Sequence, residues 1–60
     1  MQDSKEVKIV RCINVPPEGN FIKGNRYRYT AAIDAVGAYD EDCQAWYYDD
    51  HRFLWYFAEE

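Results

Sequence analysis

Trp46-Tyr47-Tyr48-Asp49-Asp50-His51-Arg52-Phe53-Leu54-Trp55-Tyr56-Phe57, residues 46–57, is the stretch whose reading decides the fold. Eight of these twelve residues are aromatic or Leu, and the four polar ones stand together in the middle. Two apolar runs divided by a short polar cluster predict two β-strands joined by a tight turn. An even loop around Asp50-His51 pairs Tyr48 with Phe53 and Trp46 with Trp55. One face then carries Trp46, Tyr48, Phe53, Trp55 and Phe57, the expected core. The other carries Ala45, Tyr47, Leu54 and Tyr56. A three-residue loop would mix the two faces, because register fixes the side on which every residue falls.

Sixty residues make one domain, which hides only about 60% of its unfolded surface. So small a scaffold needs a disulfide, a metal, a partner or an unusually rich core. Six Tyr, three Phe and two Trp point to the last, since each aromatic removes roughly 150–250 Å² from water. A ligand pocket typically needs ~300–1,000 Å³, so size argues against an enzyme.

Cys12 and Cys43 read as free thiols of a reduced compartment, Cys in a core behaving as a small hydrophobe. A bridge between them is the alternative. The polar start Met1-Gln2-Asp3-Ser4-Lys5-Glu6 has no apolar stretch of a leader, and the longest apolar run, Phe53 to Ala58, is too short to span a bilayer. The expected location is cytoplasmic, in a bacterium or an infected host.

Charge is unevenly spread. Residues 1–30 hold six basic against three acidic side chains, and residues 31–60 hold one against eight, for a net −4. That balance disfavours general nucleic-acid binding, which draws its affinity from neutralising phosphates. The two halves are expected to neutralise each other in the folded chain.

Along the chain, Val7 to Val15 predicts the first strand, with Val7, Ile9, Ile13 and Val15 on one face and Lys8, Val10, Cys12 and Asn14 on the other. Pro16-Pro17-Glu18-Gly19-Asn20 is a turn cluster. Arg26 to Val36 reads as a second strand, Tyr27, Tyr29, Ala31 and Ile33 facing one way and Arg26, Arg28, Thr30 and Asp34 the other. A helix over Tyr29 to Ala38 stays open, since its alanines favour one. Gly37 to Asp42 is a loop, acidic and solvated at Asp40-Glu41-Asp42. These pieces predict an all-β domain, a small barrel of four to five antiparallel strands with no helix longer than a turn.

The chemistry-bearing residues are few. His51 between Asp50 and Arg52 reads as a solvated turn. Cys12, Cys43 and His51 lack the paired spacing of a zinc site, and Asp34, Asp40 and Asp42 lack that of an EF-hand. No metal or cofactor is expected, and nothing combines nucleophile, base and pocket. The candidate binding residues are Tyr47, Leu54 and Tyr56 on the outer hairpin face, with Arg26 and Arg28 on the outer face of the second strand. Tyr and Arg are enriched among interface hot spots. Amphipathic tyrosines merely wetting their hydroxyls is the alternative.

Phe21-Ile22-Lys23-Gly24-Asn25-Arg26-Tyr27 resembles the apolar-x-x-Gly-x-x-Tyr entry into the second strand of small SH3-like barrels encoded by phages and bacteria. Lys8 to Ile13 and Trp46 to Trp55 resemble the flanking strands of the same family, so the likeness spans most of the chain. It implies an SH3-like barrel acting as a non-catalytic protein-binding module, such as a phage accessory protein that occupies a host protein. The other readings are an acidic mimic of nucleic acid that blocks a nucleic-acid-handling enzyme, a single-stranded nucleic-acid binder using Arg26, Arg28 and exposed tyrosines, and a homodimer joined through the sheet.

Overall fold

A computed structural model describes residues 8–60; Val7, at the expected start of the first strand, lies outside them. Strands β1 (Ile9–Cys12), β2 (Arg26–Ala32), β3 (Ala35–Tyr39), β4 (Ala45–Tyr48) and β5 (Phe57–Glu59) form one sheet, with helix α1 (Asp50–Tyr56) between the last two. All pairings are antiparallel and the strand order is β4-β3-β2-β1-β5. The chain is a small all-β domain with one short helix.

β2 is the shared element. Its residues Arg26, Tyr27 and Arg28 pair with β1, and Tyr29 to Ala32 pair with β3. Its alternation holds through Tyr29, with Tyr27 buried, Tyr29 half-buried, and Arg26 and Arg28 exposed, and then lapses, Thr30 being half-buried and Ala31 exposed. The strand ends at Ala32, however, and Ile33-Asp34 form a two-residue turn into β3. Ile33, expected inside, is therefore 97% exposed. Gly37, expected in a loop, lies within β3 opposite Tyr47. A Cβ there would stand 1.8 Å from the Trp46 carbonyl oxygen, so only glycine admits β4 this closely.

The first strand is shorter than expected and its faces are reversed. Val10 and Cys12 are fully buried, while Ile13 and Val15 are exposed. The register explains this: Val10 lies opposite Tyr27 and Cys12 opposite Phe57. Directly opposed residues share a face, so the two large rings draw Val10 and Cys12 inward. Both cysteines are free, Cys12 in the core and Cys43 exposed.

The expected hairpin does not form. β4 and β5 are the two edges of the sheet, and a two-residue turn joins only neighbours. Seven helical residues carry the chain about 10 Å from one edge to the other, packing on β3, β4 and β5. Asp49 caps the helix by accepting from the Arg52 N–H at 2.8 Å. Phe53 and Phe57, four residues apart, fall on one side; both are buried, with rings 5.1 Å apart. Trp55 sits more than half a turn from Phe53 and is 62% exposed, not core. Tyr48 is buried as expected, and Trp46 is half-buried against the core.

Phe57 is the hub of that core. Its ring meets Phe21 at 5.1 Å, Phe53 at 5.1 Å and Tyr48 at 6.2 Å. Phe21 in turn packs edge-on to Tyr27 at 5.0 Å. Gly24, just before β2, takes a φ of +92° that the chain reversal requires.

Candidate functional site

In the turn between β3 and β4, Glu41 and Asp42 are exposed as expected, but Asp40 is not. Asp40 is only 7% exposed. Its Oδ1 accepts from the N–H groups of Asp42 and Gln44 at 2.8 and 2.9 Å. Its Oδ2 accepts from the Asn20 N–H at 3.1 Å and the Trp46 indole N–H at 2.8 Å. Burial works to raise the pKa of this carboxyl, but the four donors outweigh it and hold it down at about 2. Glu41 accepts from the Tyr27 hydroxyl, which itself accepts from the Ile22 N–H at 2.9 Å. Burial first, and then that bond to Glu41, push Tyr27 upward. With the Glu41 N–H donating to the Asn20 carbonyl at 2.9 Å, the turn is latched to the loop between β1 and β2.

The second acidic group is open. Beside α1, Tyr29, Val36, Phe53 and Leu54 line a recess of about 240 Å³, with Asp50 and Glu59 at its rim. Val36 and Asp50 also line an adjoining depression of about 400 Å³ that runs along Ala32 to Ala35 and Asp49. The two make one groove between the β2–β3 turn and the helix. At its far end Lys8 pairs with Glu59 at 2.9 Å and lies over the Tyr29 ring at 4.5 Å; the bond to Glu59 raises the Lys8 pKa. Among the described residues, Asp34 and Asp50 have no ion-pair partner. No set of three His, Cys, Asp or Glu side chains among those residues could hold a metal ion.

The five residues expected to bind a partner are not all on one face: the register through Gly37 and Thr30 leaves Tyr47 on the same outer sheet face as Arg26 and Arg28, whereas Leu54 and Tyr56 go with the helix that replaces the hairpin's second strand. Leu54 is 63% exposed and lines the groove. Tyr47 is exposed on the outer face of β4, opposite Gly37. Arg26 and Arg28 border a separate depression of about 520 Å³ with Tyr39 and Cys43. Arg26 is tied there to Glu60 at 3.1 Å. Tyr56 is half-buried and structural: the Arg52 guanidinium donates to its hydroxyl at 2.9 Å and lies over its ring. That bond raises the Arg52 pKa.

Sequence reasoning missed Tyr29, Val36, Phe53 and the Asp34–Asp50 pair as one surface. The i, i+4 spacing of Phe53 and Phe57 behind the Asp49 cap was the available signal. Close to Arg52 and Tyr56, the Tyr48 hydroxyl is buried with no hydrogen-bond partner among the described residues, and burial pushes its pKa up to about 12. Among the described residues no helix is long and apolar enough to cross a membrane. No protein-family model, curated protein or solved structure matches the chain.

Proposed function

We propose that this chain is a non-catalytic protein-binding module that engages its partner through the α1 side of the barrel. The observation that carries this reading is the set of large apolar side chains left in water on α1 and on the β2–β3 turn. Ile33, Leu54 and Trp55 are 97%, 63% and 62% exposed, in a domain short of apolar surface to bury. Large side chains held out on a rigid helix and a two-residue turn suit recognition at little cost in ordering. The likeness of residues 21–27 to small phage and bacterial SH3-like barrels supports the same class, and is the support for a host protein as partner.

The test is affinity purification from a bacterial lysate, with retained proteins identified by mass spectrometry. A defined partner held by the wild-type chain and lost from an Ile33→Ser/Leu54→Ser variant is the expected result. Retention of nothing beyond bare resin would sink the reading. A single-stranded nucleic-acid reading draws on one observation, that Arg28, Arg26 and Tyr39 border the same depression. A gel shift with oligo(dT) at low salt tests it, and no shift at micromolar protein removes it. The acidic-mimic reading loses ground, because Asp40 turns its charge inward.

A further inference from the structure

We infer that the groove beside α1 receives a segment of a partner protein that carries one large apolar side chain flanked by Lys or Arg. This rests on the protein-binding reading and specifies its ligand. Within the groove, Tyr29, Val36, Phe53 and Leu54 line an open recess of about 240 Å³. It suits the insertion of a single apolar side chain. The adjoining depression along Ala32 to Ala35 gives the flanking backbone of such a segment a place to lie.

Charge decides which flanks are accepted. At one end Lys8 already answers Glu59. Asp49 spends an oxygen on the Arg52 N–H. Asp34 and Asp50 remain, without an ion-pair partner among the described residues and with no basic side chain lining the groove near them. Carboxylates beside an apolar floor repel acidic segments and phosphates, and they steer basic ones into place. A partner lacking the apolar anchor would find only exposed charge, which is worth little by itself. Both halves of the ligand are therefore required.

Panning a random dodecapeptide display library on the immobilised protein tests the inference. The selected peptides should carry Leu, Ile, Met or Phe flanked by Lys or Arg. Synthetic copies should lose affinity about tenfold against Asp34→Asn/Asp50→Asn, and comparably against Leu54→Ser. Binding to Tyr47→Ala, on the other face, should stay within about twofold, and added salt should weaken binding to the wild type. Circular dichroism checks that each variant is folded. Basic peptides that bind the doubly neutralised protein unchanged overturn the groove and leave protein binding standing. So do acidic peptides whose binding fails on Arg28→Ala. A library that yields no enriched sequence removes the protein-binding reading together with the inference.

Discussion

Asp40-Glu41-Asp42 gathers three carboxylates at one turn, and Asp34, Asp49 and Asp50 gather three from a turn and a helix start around one groove, yet the two groups are used in opposite ways. In the first, Asp40 is buried under four donors and Glu41 takes the Tyr27 hydroxyl, so the charge fastens two loops. In the second, among the described residues, only Asp49 is engaged, as a helix cap, and Asp34 and Asp50 face solvent at the rim of the groove. Acidic residues in sequence are thus no guide to solvation. What separates the two groups is whether backbone N–H groups converge on the carboxylate, since an unpaired charge cannot be buried.

The comparison can be broken most severely at Phe57, whose ring touches Phe21 beneath the latch and Phe53 beneath the groove. Phe57→Ala should cost about 3–5 kcal/mol and abolish both at once, seen as loss of cooperative thermal unfolding. Asp40→Asn should then destabilise more than any other single carboxylate substitution, because it removes a charge that four donors surround.

Acid titration sharpens the same point. The folded pKa of Asp40, about 2, lies below its ordinary 3.8. Its contribution is therefore fully present above about pH 4 and is lost as pH falls toward 2. Chemical denaturation across that window should show a declining limb that Asp40→Asn flattens and Asp34→Asn/Asp50→Asn leaves in place. Next in size, Tyr27→Phe should cost about 1–3 kcal/mol, because the Ile22 N–H and Glu41 each lose a partner. Asp34→Asn and Asp50→Asn should each stay within about 0.5 kcal/mol of wild type. A larger loss would mean that the groove carboxylates hold the fold as the latch does.

Much of this architecture was legible in the sequence. The all-β class, the inward Tyr27 and Tyr29, the outward Arg26 and Arg28, and the reversal at Gly24 all follow from alternation and turn chemistry. The helix was not. Phe53 and Phe57 satisfy both a strand of period two and a helix of i, i+4 spacing, so among the large aromatics on that line only Trp55 distinguishes them. What settles the matter is the position of β4 and β5 at opposite edges, a property of the whole sheet. The groove was half legible for the same reason: Leu54 was singled out, but Tyr29, Val36 and Phe53 join it only because α1 packs back on the sheet. The latch depends on Asn20 meeting Asp40 across twenty residues, which no local pattern reports.

The pairing of β1 with β5 has a consequence for how the chain could be rewired. The Glu60 N–H donates to the Ile9 carbonyl at 3.2 Å, so the two ends of the described fold lie side by side. The sheet has its edges at β4 and β5, but the described chain begins and ends on the paired strands β1 and β5, so joining them would make the chain a ring. A short linker from Glu60 to Lys8 would close the ring, and fresh termini at the exposed Ile33-Asp34 tip would interrupt no core contact. Such a permuted chain keeps every strand neighbour while splitting the groove's own lip, separating the demands of folding from those of recognition.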